Sequence, residues 1–172
     1  DLVYVNLFLG GQATVATAEN HVRLTQQTRY PWEGRVRIGV DPQRAGRFAV
    51  YVRIPGWARN EPVPSDLYRF GTQRADDVTI EVNGQRQTFD VSKGYARIDR
   101  PWNPGDTIVL DLPMLIRRVV AHQNVVADRG KVALQRGPIV YCLEGPDNGG
   151  KVLDLVIPDH TELHAQFQPE LL

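Results

Sequence analysis

The chain has 172 residues, of which 42% are hydrophobic and 23% are charged, a composition typical of a globular domain and not of a disordered chain or a coiled coil. Twenty Lys and Arg balance twenty Asp and Glu, so the charge predicts neither a nucleic acid nor a membrane surface as partner, and no apolar run is long enough for a transmembrane helix. The single cysteine, Cys142, excludes an internal disulfide and a Cys-rich zinc module.

Alternation of apolar and polar residues recurs along the first two thirds of the chain. In residues 35–40 and 47–54 every second residue is apolar, which predicts strands with one face on a core and the other in water. Residues 2–9 are more continuously apolar and predict a strand covered on both faces. In chain order, the predicted strands of this part are 2–9, 13–19, 21–28, 35–40, 47–54, 78–82, 85–91 and 107–112.

Turn residues separate these strands. Asn83-Gly84 follows one predicted strand and precedes the next, which is a strong hairpin signal. Proline lacks a backbone N–H, so it marks loops or sheet edges. Proline-bearing breaks fall at 41–42, 55–56, 62–64, 101–104 and 113. The sequence therefore predicts an all-β fold, an antiparallel two-sheet β-sandwich.

A domain boundary is predicted at residues 112–114. Residues 1–114 contain enough strands for a complete β-sandwich, and the remainder contains too few for a core of its own. Residues 115–172, with predicted strands at 117–121, 131–135, 137–144 and 151–157, either complete the first sandwich or begin a second one, and we favour the start of a second β-sandwich. Exposed strands around Val132 and Ile139 would then favour a homo-oligomer.

Two groups of residues invite a catalytic or metal-binding interpretation. Cys142 lies between large apolar residues with no histidine nearby in sequence, so a small buried side chain is favoured over a nucleophile. His160 and His164 could share a metal ion on a helix, but in extended chain they would lie about 13 Å apart. A solvated turn is therefore favoured for that segment.

Acidic residues in turns or at outward strand positions are the remaining candidates for hydrolytic chemistry, which commonly uses paired carboxylates. They are Glu33, Glu61, Asp66, Asp76, Asp77, Asp106 and Asp111. Solvated acids are the default at such positions. Neither a phosphate-binding loop nor a Ser-His-Asp arrangement is present in the sequence. We therefore predict no catalytic residue and no metal ligand in this chain.

Three tryptophans, Trp32, Trp57 and Trp102, each stand in a turn that contains proline. An indole on a loop can stack on a sugar ring, because its apolar face suits C–H surfaces. It can equally cap the end of a sandwich or dock against a neighbouring domain. Both roles stay open, with capping or docking favoured.

These turns belong to a series of motifs that occur in one order in a known family. The motifs are residues 4–8, 30–34, 53–58, 82–84, 94–98 and 131–144. The chain closely resembles the C-terminal part of glycoside hydrolase family 127, the β-L-arabinofuranosidase family, over residues 2–172.

The resemblance implies that the chemistry lies elsewhere in the polypeptide. Members of the family have an (α/α) barrel, which carries a zinc-bound cysteine nucleophile and a glutamate acid/base, followed by two β-sandwich domains. Cys142 does not match that nucleophile, and no residue matches the acid/base or the zinc ligands, so zinc is expected only in the barrel and this chain alone is not expected to be an enzyme. Residues 1–114 would form the middle domain and 115–172 part of the C-terminal domain.

The implied function is structural. The chain would be a non-catalytic region that buttresses the catalytic (α/α) barrel of the same polypeptide, which would itself be a glycoside hydrolase of the β-L-arabinofuranosidase type. The Pro-Trp and Gly-Trp turns would supply apolar anchors for that contact. The alternative is a carbohydrate-binding module that uses Trp32 or Trp57.

Overall fold

The computed structural model describes residues 2–72 and 77–168. Within these ranges the chain forms β-strands and three short 3-10 helices, Gly56–Arg59, Val126–Asp128 and Pro146–Asn148, and no α-helix. The strands are β1 (Leu2–Val5), β2 (Gly11–Ala16), β3 (His21–Thr28), β4 (Arg35–Pro42), β5 (Gly46–Arg53), β6 (Tyr68–Phe70), β7 (Thr79–Val82), β8 (Gln85–Arg86), β9 (Val91–Ser92), β10 (Tyr95–Trp102), β11 (Asp106–Asp111), β12 (Ile116–Ala121), β13 (Val132–Arg136) and β14 (Ile139–Tyr141). The predicted all-β class is confirmed.

The strands form three sheets. Sheet A has the order β1-β5-β10-β9, sheet B the order β2-β3-β4-β11-β7-β8, and sheet C the order β14-β13-β12-β6. Strand pairs are antiparallel as predicted, except that β1 runs parallel to β5. Parallel neighbours need a long crossover connection, and the three strands β2 to β4, which lie in sheet B, supply it.

Sheets A and B enclose the hydrophobic core. Alternate residues of β4 and β11, such as Ile38 and Ile108, meet Val50 and Val52 of β5 in that core. All four are fully buried, and burying each such side chain contributes about 1.5–3 kcal/mol. The period of two therefore identified the inward faces correctly.

The expectation that residues 2–9 form a strand covered on both faces is wrong. β1 ends at Val5, and its burial alternates. Val3 and Val5 face the core, whereas Leu2 is 57% exposed and Tyr4 is 50% exposed. The reason is topological, because β1 lies at the edge of sheet A and its outer face meets none of the other sheets in the described residues.

Further segments differ from the prediction. Neither β10, which pairs with β5 over all of its eight residues, nor β6 was among the predicted strands. Pro101 lies inside β10 and not in a break. β9 pairs only with residues 95 and 96 of β10, so that side of the strand is open at Pro101. Proline is tolerated where no neighbouring strand needs its N–H. Residues 85–91 form no continuous strand, only β8 and the start of β9. Residues 151–157 form no strand, and Leu153 and Val156 there are 85% and 84% exposed.

Sheet C is joined to the sandwich by a strand and by side chains. β6, which comes from residues 1–114, pairs with β12, so the β-ladder crosses the predicted boundary at 112–114. Arg117 donates from Nη1 to Asn60 Oδ1 at 2.7 Å, and Arg136 donates from Nη1 to the Trp32 carbonyl at 2.8 Å. These hydrogen bonds hold sheet C against the loops at one end of the sandwich.

Candidate functional site

Trp102, at the end of β10, is a core residue. Its side chain is 0% exposed, its Nε1–H donates to the Phe48 carbonyl at 3.0 Å, and its ring stacks on the Phe48 ring at 5.9 Å between centroids. Stacking on a sugar or docking on another domain needs an exposed ring face. Trp102 has none, so it serves the packing of the sandwich.

The other two predicted tryptophans remain at the surface to different degrees. Trp57, in the 3-10 helix Gly56–Arg59, is half-buried and packs against the core. Trp32 is 43% exposed, and its ring lies 6.1 Å from the Phe167 ring in an edge arrangement. The three tryptophans are therefore not brought together into one platform.

A groove of about 440 Å³ lies at the end of the sandwich beside Trp57. This volume is in the range of small-molecule sites. The lining residues are Asn6, Leu7, Phe8, Tyr30, Arg53, Pro55, Gly56, Trp57, Arg59, Glu61, Pro62, Val63, Pro64 and Pro138. Burial raises the pKa of Tyr30 above its usual value, partly offset by a hydrogen bond with Trp57, so its phenol stays protonated at neutral pH.

Among the residues that the structure describes, the lining of the groove does not contain the carboxylate pair of a typical glycosidase. Glu61 is the one acidic residue of that described lining, and an ion pair with Arg59 at 3.1 Å already holds it. Of the other predicted acids, Glu33 pairs with Arg29 at 3.0 Å and Asp111 with Arg35 at 3.8 Å. These groups lie at the surface as expected.

The remaining acids behave differently from one another. Asp66 and Asp77 are exposed, and Asp76 lies outside the described residues. Asp106 was expected to be solvated, but it is only 8% exposed.

Asp106 has a structural role in a turn. Its carboxylate accepts hydrogen bonds at 2.9 Å from Asn83 Nδ2 and at 2.9 Å from the Asn103 backbone N–H. Burial raises the pKa of Asp106. The two hydrogen bonds and the positive charge of Arg100 together lower that pKa by more than burial raises it, so it lies below its usual value. The side chain is thereby fixed as an anion that ties the loop before β11 to the hairpin after β7.

The cysteine and histidine candidates lie apart from this turn. Cys142 is exposed, which corrects the expectation of a buried side chain, and its Sγ contacts the Leu143 carbonyl at 3.7 Å. His164 lies 3.8 Å from Glu162 in an exposed, non-helical segment. Within residues 2–72 and 77–168, no three His, Cys, Asp or Glu side chains are grouped as a metal site.

A cluster that sequence reasoning missed lies on the outer face of sheet A. The Tyr4 ring stacks on the Tyr51 ring at 4.6 Å and meets the Tyr95 ring edge-on at 5.3 Å. The Tyr95 hydroxyl donates to Asn6 Oδ1 at 2.8 Å. The strand register pairs Tyr4 with Tyr51, and this long-range register has no local sequence signal. We call Tyr4, Tyr51 and Tyr95 the tyrosine patch.

Comparison with known proteins accounts for almost the whole chain. The model of the GH127 middle domain of β-L-arabinofuranosidases matches residues 2–114, and the model of the glycoside hydrolase family 127 C-terminal domain matches residues 116–170. The chain belongs to glycoside hydrolase family 127. The family 127 resemblance drawn from the motifs is thus confirmed.

Named relatives and solved structures agree with the assignment to family 127. A non-reducing end β-L-arabinofuranosidase of Bifidobacterium longum is 33% identical over 95% of this chain and 24% of its own length. A crystal structure of a GH127 β-L-arabinofuranosidase from Geobacillus stearothermophilus T6 has a TM-score of 0.86 and 39% identity, covering 99% of this chain and 25% of that one. A second GH127 β-arabinofuranosidase has a TM-score of 0.81 and 41% identity, covering 86% and 23%.

The family 127 chain therefore spans about a quarter of the length of these relatives. Two of these relatives are named β-L-arabinofuranosidases. Among the described residues of this chain, no helix is both long and apolar enough to cross a membrane.

Proposed function

We propose that this chain is a non-catalytic β-sandwich region of a family 127 glycoside hydrolase, which supports a separate catalytic domain of the same polypeptide. The observation that carries the proposal is the identity of the matched segments, which are a middle domain and a C-terminal domain. A middle domain has another domain before it. Relatives that are about four times as long leave room for that domain.

The side chains of this region support a structural role. Of the described residues, only one that lines the groove beside Trp57 carries a carboxylate, and Arg59 neutralises it. Glycoside hydrolysis by two carboxylates needs a second group on the other side of the sugar. We therefore assign a structural role to the described residues and the catalytic steps to the preceding domain.

The zinc ion implied by the family resemblance is also assigned to the preceding domain. The donor set of the described residues does not fit a zinc site, because no three His, Cys, Asp or Glu side chains come together. A catalytic zinc site needs three such ligands. Cys142 has no such group of ligands around it among the described residues, so we do not propose it as a zinc ligand.

The named relatives suggest the substrate of the whole polypeptide, a β-L-arabinofuranoside. The test compares the full-length polypeptide, the same polypeptide without this region, and the 172-residue chain alone on an aryl β-L-arabinofuranoside. We expect hydrolysis by the full-length form, none by the chain alone, and a lower melting temperature of the catalytic domain once the region is removed. A truncated form as stable and active as the full-length one would contradict the proposed support.

A further inference from the structure

The two outer faces of the sandwich differ in chemistry. On sheet B the outward residues of neighbouring strands form ion pairs, Arg23 with Asp41 and Arg35 with Asp111, as expected for a face that meets water. Near β1 the outer face of sheet A instead carries Leu2 and the tyrosine patch.

Several exposed apolar side chains lie on β1 and in the loop that follows it. Leu2 and Tyr4 are 57% and 50% exposed, and Leu7 and Leu9 in the loop after β1 are both 64% exposed. Single exposed apolar residues are ordinary, but four of them within residues 2–9, beside the tyrosine patch, are typical of an interaction site. We call Leu2, Tyr4, Leu7 and Leu9, together with the rest of the tyrosine patch, the β1 surface.

The border of the β1 surface is polar. Asp99, on the same outer face, forms ion pairs with Arg47 at 3.1 Å and with Arg97. An apolar and aromatic centre with a charged border is the usual arrangement of a protein–protein interface, in which tyrosine is enriched. The free backbone edge of β1, which pairs only with β5 among the described residues, lies beside the same surface and is a second feature that proteins normally cover.

We propose that the β1 surface is the docking site of the domain that precedes this region in the same polypeptide. This inference rests on the proposed function, and it names the part of the sandwich that does the supporting. β1 is the first strand of the segment matched by the middle-domain model, so the preceding domain is connected to the chain next to Leu2. A tether of this kind keeps the local concentration of the partner high at the adjoining surface.

The sheet face is better suited to docking than the tryptophan turns, of which the Trp57 side chain is half-buried against the core. Trp102 is in the core, and Trp32 contacts Phe167 of the same chain. Tyr4 presents a half-exposed ring that is held in place by two neighbouring rings. A preordered aromatic side chain loses little conformational entropy on binding, so the tyrosine patch is the better anchor.

Hydroxyl-radical footprinting tests the proposal, because oxidation of a side chain reports its exposure. Tyr4 and Leu7 are measured in the full-length polypeptide and in the 172-residue chain at low concentration, with His21, exposed at the start of β3 on sheet B, as the internal control. We expect oxidation of Tyr4 and Leu7 to fall several-fold in the full-length form while His21 is unchanged. Equal oxidation of Tyr4 in both forms would overturn the proposal.

A pair of matched variants separates this inference from the proposed function. Tyr4→Ser changes the β1 surface, and Arg23→Ser changes the outer face of sheet B. We expect Tyr4→Ser to lower the melting temperature of the full-length polypeptide more than that of the chain alone, and Arg23→Ser to lower both equally. Tyr4→Ser could instead lower the melting temperatures of the full-length polypeptide and of the chain alone equally. If deletion of the region still destabilised the full-length polypeptide, that result would refute the docking site but leave the supporting role intact.

Occupation of the β1 surface by another partner is a third result of the same footprinting. Protection of Tyr4 that grows with the concentration of the 172-residue chain would assign the surface to a second copy. Protection by arabinose-containing oligosaccharides would assign it to sugar binding. Either result, without protection in the full-length form, would contradict docking of the preceding domain.

Discussion

Replacement of Trp102 by alanine is expected to unfold a large fraction of the chain. The side chain is 0% exposed and bonds to the Phe48 carbonyl. Removing a buried tryptophan costs about 3–5 kcal/mol, and leaving a buried carbonyl without its donor adds about 1–3 kcal/mol. Because domains of this kind are stable by only about 5–15 kcal/mol, the loss is comparable with the whole free energy of unfolding.

Urea unfolding followed by far-ultraviolet circular dichroism measures this loss without relying on tryptophan fluorescence. Trp102→Phe keeps an aromatic ring next to Phe48 and loses the indole N–H, so it should retain more of the stability than Trp102→Ala. Trp32→Ala is the control, since Trp32 is 43% exposed, and surface changes of this kind usually cost about 0.5 kcal/mol or less.

Equal stability of Trp102→Ala and Trp32→Ala would refute the assignment. It would mean that the indole of Trp102 does not pack in the core between sheets A and B. The same result would reopen a surface role for Trp102, as the turn sequence around it first suggested.

Three other predictions concern a glycine, a buried acid and sugar binding. Gly34→Ala should lower the free energy of unfolding, measured in urea, by about 1–3 kcal/mol or more, since a Cβ there would lie 1.9 Å from the Leu112 carbonyl oxygen. Gly39→Ala is the control and should be tolerated, because its Cβ would have its nearest contact at 3.7 Å. Equal effects of the two substitutions would contradict the close approach of Gly34 to Leu112. The pKa of Asp106 is lowered in the folded state, so its stabilisation should be present above about pH 4 and lost as the pH falls through the folded pKa. Asp106→Asn should therefore be less stable at neutral pH and lose less on acidification, and parallel pH profiles would be inconsistent with this. Titration of the chain with arabinose-containing oligosaccharides should show no saturable heat, and binding abolished by Trp57→Ala would instead support a carbohydrate-binding module.

Many of the strands could be predicted from sequence because the alternating pattern is local, although β10 was not among them. β3 begins and ends at the predicted residues, and β4 and β5 differ by one or two, since alternation alone decides which side chains face a core. β6 has no such signal. It is three residues long and follows a segment rich in proline and serine, and it exists because β12 pairs with it.

The roles of the aromatic residues could not be predicted in the same way. All three tryptophans stand in similar proline-bearing sequences, yet Trp102 is buried at the end of β10 and Trp32 is exposed, because burial depends on where the strands place each residue. The tyrosine patch likewise depends on the parallel register of β1 and β5. The family could be recognised from sequence motifs, whereas the exposed surfaces of the chain could be identified only from the three-dimensional structure.

The central claim, that the chain is a non-catalytic region of a larger glycoside hydrolase, is tested most directly by assaying the chain with and without the rest of the polypeptide. Hydrolysis of an aryl β-L-arabinofuranoside is measured for the full-length polypeptide and for the 172-residue chain, with zinc present in both assays. Activity of the full-length polypeptide, together with no hydrolysis by the chain alone, is the predicted result. Hydrolysis by the chain alone at enzyme-like rates would contradict the account.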